Sequence, residues 1–300
     1  MTLDTTFLRG SYTPVVTPFR EGKVDFERFE SLIEQQIKGG SHGVVVAGTT
    51  GESTSLSLKE RAELFKTAVA ASRHRIPVVA GTGSGSYEET NELSQSAEKA
   101  GVDALLVVTP YYSRPPQNGL VEYFVQIAKR IALPVLIYHI PGRAAVSVTT
   151  QTVAQIAEQA PNVIGIKHAV HELDLVSELL VRLGPDFRVF CGLESLSLPM
   201  LALGAAGVMN AVGNLDPARV AQLCNAALGG KWDEARRLHF ELFALSQAIF
   251  LDTNPIPLKY MMARLGLLAT AEVRLPLVAI NSGRAEILDD VLRKAGLLDH

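Results

Sequence analysis

Lys167 closes a short apolar run, and its position needs a chemical explanation. The run Val163-Ile164-Gly165-Ile166 follows Pro161-Asn162, a pattern that predicts a buried strand. Buried lysines are rare unless a carboxylate pairs with them or burial lowers their pKa. A neutral amine attacks ketones, and the iminium that forms is an electron sink. Lys167 is therefore either a structural partner of Glu52 or Glu194, or a nucleophile.

Hydroxyl and guanidinium groups follow other predicted strands. The turn Gly48-Thr49-Thr50-Gly51-Glu52-Ser53 offers N–H groups and hydroxyls that can hold a carboxylate, with a plain tight turn as the alternative. Tyr138 ends an apolar run, where its phenol can act as a general acid-base or plug the core. Arg143 follows Pro141-Gly142 and suits bidentate binding of a carboxylate, unless it is an ordinary surface arginine.

Eight short apolar runs alternate with amphipathic helical patterns along the chain. This alternation is typical of parallel strands joined by crossover helices. Eight strands favour a closed (β/α)8 TIM barrel over an open doubly wound sheet, which usually has fewer strands. The runs cover residues 12–16, 43–47, 77–80, 104–108, 134–138, 163–167, 188–191 and 207–209.

Helix start signals agree with this alternation. Ser57 with Glu60 has the spacing of a capping box, and Asp216-Pro217 suits an N-cap followed by the first helical residue. The remaining helical patterns exceed one closing helix and cover 232–250, 255–266 and 284–297. We therefore expect a catalytic barrel over 1–225 and a small C-terminal helical region over 226–300, packed on the barrel.

Composition excludes several classes of function. The 300 residues are 47% hydrophobic and 20% charged, with a net charge of −3 and no long charge runs, so we expect neither nucleic-acid nor membrane binding. The spacing of Gly81-Thr82-Gly83-Ser84-Gly85-Ser86 is not that of a dinucleotide-binding loop. The seven histidines show no metal-ligand spacing, and we expect no metal. Two cysteines and no visible signal peptide favour the cytoplasm.

The barrel would bring the polar residues together. Active sites of TIM barrels form where the carboxyl ends of the strands meet. Lys167, Tyr138, Thr49, Arg143 and Tyr112 all follow or end predicted strands. This convergence favours the nucleophilic role of Lys167 over a structural one.

Seven stretches resemble the dihydrodipicolinate synthase/N-acetylneuraminate lyase family of pyruvate-dependent class I aldolases. They occur in the family's order over nearly the whole chain, which makes the resemblance specific. They are Thr13-Pro14-Val15-Val16-Thr17-Pro18-Phe19, GTTGES (48–53), Val79-Ala80-Gly81-Thr82-Gly83, VTPYY (108–112), YHIPGR (138–143), GIK (165–167) and Asn254-Pro255-Ile256-Pro257-Leu258-Lys259.

The resemblance implies a role for each candidate. Lys167 would form a Schiff base with pyruvate or another 2-oxo acid, without any cofactor. Thr49 and Thr50 would hold its carboxylate, and Thr49 and Tyr138 would belong to a proton relay. Tyr112 looks like the tyrosine that completes this relay from a neighbouring subunit, which implies a homo-oligomer, either a dimer or a tetramer.

Further substrate contacts are expected at the same mouth. Arg143 looks like the residue that binds the carboxylate of the second substrate in dihydrodipicolinate synthases. We also expect Gly48 and Met209, which follow the second strand and end the eighth, to contact substrate.

The chain departs from the synthase pattern at several positions. His139 replaces an asparagine, Ala144-Ala145 replaces Thr-Gly, and His168-Ala169-Val170-His171 replaces Glu-Ala-Ser/Thr-Gly. The acidic pair near the seventh strand becomes Leu193-Glu194. We expect these departures to surround the second substrate, with His139 and His168 as either supporting or catalytic residues.

Three functions follow. One is a synthase that condenses pyruvate with aspartate semialdehyde, favoured by Arg143. Another is a catabolic aldolase that cleaves a 4-hydroxy-2-oxo acid, such as a dihydroxyheptenedioate or a sugar acid, into pyruvate and an aldehyde. It is favoured by His139 and His168. The third is a barrel that binds a 2-oxo acid without turnover, which would not need the relay.

Overall fold

Eight parallel strands close into a barrel in the computed structural model, which describes residues 5–298. The barrel strands are β1 (Gly10–Pro14), β4 (Gly43–Val46), β5 (Val78–Gly81), β6 (Ala104–Val108), β7 (Val135–His139), β8 (Val163–His168), β9 (Arg188–Cys191) and β10 (Gly207–Val208). A separate antiparallel pair after the first strand consists of β2 (Phe19–Arg20) and β3 (Lys23–Val24). The order around the barrel is β1-β10-β9-β8-β7-β6-β5-β4, so the predicted TIM barrel is confirmed.

Helices surround the barrel and follow it. Those up to residue 228 are α1 (Phe26–Lys38), α2 (Leu58–Ser72), α3 (Tyr87–Ala100), α4 (Gln117–Ala128), α5 (Pro141–Ala144), α6 (Thr150–Gln159), α7 (Asp174–Leu183), α8 (Ser197–Ala202) and α9 (Pro217–Leu228). The predicted C-terminal helical patterns correspond to α10 (Trp232–Ala248), α11 (Ile256–Arg264) and α12 (Ser282–Lys294). Within residues 5–298, no helix is long and apolar enough to cross a membrane.

The predicted helix starts are confirmed at atomic detail. Ser57 and Glu60 form both hydrogen bonds of a capping box at the start of α2. Asp216 accepts a hydrogen bond from the Arg219 backbone N–H, with Pro217 as the first residue of α9. These caps satisfy N–H groups that the first helical turn leaves free.

The core has two layers because strand side chains alternate between the faces of the sheet. An inner cluster fills the barrel and includes Leu136 and Tyr138 of β7. An outer cluster lies between strands and helices and includes Ile137 of β7 and Ile166 of β8. Tyr138 and Lys167 are opposite each other in the β7–β8 register. Lys167 is therefore on the inner side, next to Tyr138, as the strand prediction requires.

A buried ion pair fixes the C-terminal region to the mouth of the barrel. Lys259 of α11 donates to Glu52, and both side chains are fully buried. Lys259 also donates to the Glu272 carbonyl at 2.8 Å. The other Glu52 oxygen accepts from the Arg274 backbone N–H at 3.0 Å. The turn that carries Thr49 and Thr50 is thereby held from the C-terminal side.

Candidate active site

Lys167 lies at the mouth of the barrel without a carboxylate partner. It is 5% exposed, and its Nζ is 4.4 Å from the centroid of the Tyr138 ring. Glu52, one of the two partners considered for a structural role, pairs with Lys259 instead. Within the described part of the chain, no carboxylate forms an ion pair with Lys167. The amine is thus desolvated and unpaired, the arrangement that a nucleophilic lysine requires.

Glu194, the other partner considered, belongs to the same pocket as Lys167 but does not bind it. Its Oε1 accepts from the Ala211 backbone N–H at 2.6 Å, and Oε2 has no hydrogen-bond partner among residues 5–298. Burial raises the pKa of this carboxyl to about 7, against the hydrogen bonds that lower it. With its pKa near 7, this carboxyl is about half protonated at neutral pH and carries less negative charge than an ordinary glutamate.

Thr49 and Tyr138 form the expected hydroxyl pair. Thr49 Oγ1 donates to the Tyr138 hydroxyl at 3.4 Å, from the turn after β4 to the inner face of β7. Tyr138 is buried, at 6% exposure, and its ring contacts Lys167 Nζ. This places a phenol beside the amine, in reach of a second hydroxyl that can relay a proton.

Two further groups face the same space. Thr50 is buried, and its Oγ1 accepts from Asn254 Nδ2 at 3.0 Å. Arg143 lies in the short helix α5, which begins at Pro141. Its Nη2 donates to the Asn254 backbone carbonyl at 3.3 Å. Its guanidinium is exposed yet lines the site, so it is not an ordinary surface arginine. Four other N–H groups remain to bind an anion.

Two adjoining cavities define the mouth. The larger, of about 280 Å³, is open on one side and lined by Gly48, Thr49, Tyr138 and Arg143. The smaller, of about 40 Å³, is lined by six residues that the sequence predicted, Thr49, Thr50, Tyr138, Arg143, Lys167 and Met209, together with Gly192, Glu194 and Asn254. Seven of the eight predicted site residues therefore line one connected region of this chain.

Tyr112 is the exception. Its side chain is 94% exposed and lines neither cavity of its own chain. Its backbone has a positive φ of 74°, which is unusual for a residue other than glycine. The neighbouring Tyr111 does line the larger cavity. Within one chain, Tyr112 is not part of the site.

His139 and His168 were expected around the second substrate, and the structure corrects this. They are opposite each other in the β7–β8 register, one residue beyond Tyr138 and Lys167, and line neither cavity. Since successive strand residues face opposite sides, both rings point away from the barrel interior. The strand predictions ended one residue too early, so these histidines were taken for loop residues at the mouth.

The two histidines form a buried neutral pair. His168 Nε2 lies 2.7 Å from the Glu172 carbonyl, to which it can only donate, so in the neutral ring Nδ1 accepts. His139 Nδ1 lies 3.2 Å from that acceptor and therefore donates. Burial, with His168 nearby, lowers the pKa of His139 to about 4, and burial also lowers the pKa of His168. His171 is exposed.

Within residues 5–298, no group of three or more acidic, histidine or cysteine side chains is arranged to hold a metal ion. The polar side chains that line the smaller cavity are hydroxyls, one guanidinium, one amine, the Asn254 amide and the Glu194 carboxyl. This is a set suited to an anionic organic substrate.

Comparison with known proteins agrees with the geometry. The model of the dihydrodipicolinate synthetase family matches residues 7–295. The 4-hydroxy-tetrahydrodipicolinate synthase of Thermus thermophilus is 45% identical over 97% of both chains, and that of Thermodesulfovibrio yellowstonii is 42% identical over 97% of this chain and 99% of its own. The crystal structure of dihydrodipicolinate synthase from Aquifex aeolicus superposes with a TM-score of 0.95 at 39% identity, covering 97% of this chain and all of its own.

Sequence reasoning missed two residues that shape the site. Asn254 was noted only as part of a family motif, although it contacts Thr50 and Arg143. Gly192 directly follows β9, and a Cβ built there would lie 3.0 Å from Lys167 Cε. The position of Gly192 directly after a predicted strand was a signal that could have identified it. Asn254 lies in the C-terminal region, and no sequence pattern indicates that it reaches the mouth of the barrel.

Proposed function

The chain belongs to the dihydrodipicolinate synthetase family of pyruvate-dependent class I lyases, and on that premise we propose that it condenses pyruvate with aspartate semialdehyde. The observation that carries the proposal is Lys167, which is buried, contacts Tyr138 and has no carboxylate partner among residues 5–298. The names of the relatives support the same reaction, since they are 4-hydroxy-tetrahydrodipicolinate synthases.

Lys167 supplies the nucleophile in the proposed reaction. Its neutral Nζ attacks the ketone carbon of pyruvate, and loss of water from the carbinolamine gives an iminium. Tyr138 donates the proton that the departing water needs and exchanges it through Thr49, 3.4 Å away. Loss of a methyl proton then gives the enamine, whose carbon attacks the aldehyde carbon while the aldehyde oxygen takes up a proton. The amino group of aspartate semialdehyde then adds to the iminium carbon and displaces the Lys167 amine, which closes the ring and frees the enzyme. The covalent intermediate on Lys167 makes a separate cofactor unnecessary.

The two carboxylates of the substrates have separate partners in this proposal. The Thr49–Thr50 turn holds the pyruvate carboxylate with N–H and hydroxyl donors. Arg143, which lines the same cavity, binds the carboxylate of aspartate semialdehyde in bidentate fashion. Gly48 lines the larger cavity, and Met209 lines the smaller one.

We further propose that the active unit is a homo-oligomer, either a dimer or a tetramer built from two dimers. Tyr112 is 94% exposed in the single chain, and its proposed role requires that it enter the site of a neighbouring subunit. Cys191 and Cys224 are both buried free thiols, which suits the reducing cytoplasm.

The catabolic aldolase is now the weaker alternative. It was favoured by His139 and His168, and both rings lie outside the cavities. Arg143, which favours the synthase, lines both.

Product analysis tests the proposed reaction. Purified protein is incubated with pyruvate and aspartate semialdehyde, and separately with 4-hydroxy-2-oxo acids, and products are identified by mass spectrometry. We expect a heterocyclic condensation product only in the first incubation. Rapid release of pyruvate from a 4-hydroxy-2-oxo acid, without condensation, would refute the synthase and support the aldolase.

A further inference from the structure

Asn254 connects two anion-binding groups that come from different parts of the barrel. It precedes α11 and is 8% exposed, with its side chain and backbone used in different contacts. Asn254 Nδ2 donates to Thr50 Oγ1 at 3.0 Å, and the Asn254 carbonyl accepts from Arg143 Nη2 at 3.3 Å. It also lines both cavities.

The side-chain contact determines which way the Thr50 hydroxyl points. A threonine hydroxyl has one O–H donor and two acceptor lone pairs. Because Asn254 Nδ2 can only donate, it occupies a lone pair of Thr50 Oγ1 and leaves the O–H free. Thr50 lines the smaller cavity with Lys167, so the free O–H is available to a substrate carboxylate there.

The backbone contact restrains Arg143. One N–H of the guanidinium is bound to the Asn254 carbonyl, which limits the rotation of a side chain that is otherwise exposed. A side chain held in one orientation loses less entropy when it binds an anion. This contact depends on the backbone at position 254 and not on the amide side chain.

We propose that Asn254 is a positioning residue that orients the Thr50 hydroxyl for the 2-oxo acid through its side chain, and Arg143 for the second carboxylate through its backbone. The proposal rests on the function proposed above. The effects on the two substrates can be distinguished at this one residue. A side-chain substitution removes the contact to Thr50 and preserves the backbone contact to Arg143.

Two substitutions test the side-chain role by steady-state kinetics. Asn254→Ala removes the donor, and the KM for pyruvate should rise about fivefold, the effect of one lost hydrogen bond. Asn254→Asp places a carboxylate that accepts the Thr50 O–H and repels the substrate, and the KM for pyruvate should rise about tenfold or more. In Asn254→Ala the KM for aspartate semialdehyde should stay within about twofold, because the backbone carbonyl that binds Arg143 is retained.

The neighbouring Thr253→Ala is the matched control. Thr253 is exposed, in the same segment, and its substitution should change neither KM nor the melting temperature. A double-mutant cycle supplies a second measurement: Thr50→Val should raise the KM for pyruvate as Asn254→Ala does, and the two together should be less than additive.

Three results would overturn the inference. An unchanged KM for pyruvate in Asn254→Asp would show that the amide does not direct the Thr50 hydroxyl. Equal rises in both KM values with a lowered melting temperature would indicate a structural role only. If the wild-type protein itself forms no pyruvate adduct, the proposed function fails, and this inference fails with it; an adduct in the wild type with unaffected variants would overturn the inference alone.

Discussion

Two lysines, Lys167 and Lys259, are buried near the mouth of the barrel, and they differ in their hydrogen-bond and ion-pair partners. Lys259 is bound to Glu52 and to the Glu272 carbonyl; burial lowers its pKa to about 8, and the Glu52 charge opposes that shift. It therefore remains largely protonated at neutral pH. Lys167 has no carboxylate partner in the described chain and contacts the ring of Tyr138. Of the two amines, only Lys167 adjoins the substrate cavities.

Gly192 has no side chain, and this leaves room for the side chain of Lys167. A Cβ at this position would lie 2.8 Å from Ala169 Cβ and 3.0 Å from Lys167 Cε. Gly192→Ala should therefore displace the amine and lower turnover roughly 10- to 100-fold, the usual effect of a misplaced reacting group. Gly283→Ala is the control, because the closest atom to its added Cβ is 3.8 Å away. Wild-type turnover in Gly192→Ala, measured under saturating substrate, would contradict the position assigned to Lys167.

At the scale of the elements, the sequence predicted which strands exist but placed two histidines on the wrong side. The apolar runs predicted all eight barrel strands, and Lys167 and Tyr138 face inward as expected. β7 and β8 each continue one residue further than predicted, through His139 and His168. Because the side-chain period is two, that single residue turns both rings from the mouth to the outer side. Strand ends are the least constrained by apolar patterning, since the last residue can be polar on either side.

The histidine pair should make the stability of the fold depend on pH. The pKa of His139 is lowered to about 4 by burial and by His168, whereas an unfolded histidine titrates near pH 6.5. Between these values the unfolded chain binds more protons, so stability is complete above pH ~6.5 and is lost as the pH falls toward 4. The expected loss from His139 alone is about 3 kcal/mol.

Urea unfolding at pH 7.5 and pH 5 measures this dependence. His139→Asn should remove much of the difference between the two pH values, whereas His171→Asn, an exposed histidine, should retain it. An equal pH dependence in wild type and His139→Asn would show that His139 is not the titrating group.

In the whole molecule, contacts within one chain account for most of the predicted site, and the role proposed for Tyr112 requires a second chain. Apolar patterning and strand order determine the barrel, and the carboxyl ends of its strands bring seven of the eight predicted site residues together. Asn254 reaches the mouth only because the C-terminal region folds back and is fixed by the Glu52–Lys259 pair. Such a long-range contact has no periodic signal in the sequence. Tyr112, exposed in one chain, has its proposed role only between chains.

Complementation between two inactive variants tests the role of Tyr112. Tyr112→Phe lacks the relay hydroxyl, and Lys167→Ala lacks the nucleophile, so each homo-oligomer should be nearly inactive. In a mixed dimer, the subunit with intact Lys167 receives Tyr112 from its neighbour. Random mixing after dissociation and reassociation should restore activity at about a quarter of the sites. No recovery, with mixed dimers demonstrated by native mass spectrometry, would place Tyr112 outside the relay or in its own chain's site.

Formation of a covalent adduct on Lys167 distinguishes a Schiff-base mechanism from a purely structural role of this lysine. The protein is incubated with pyruvate, reduced with borohydride, digested and mapped by mass spectrometry. We predict a stoichiometric reduced adduct on Lys167 and none on Lys259, which is fully buried and bound to Glu52. The absence of an adduct on Lys167, with pyruvate and with other 2-oxo acids, would show that Lys167 is structural and would contradict the Schiff-base mechanism.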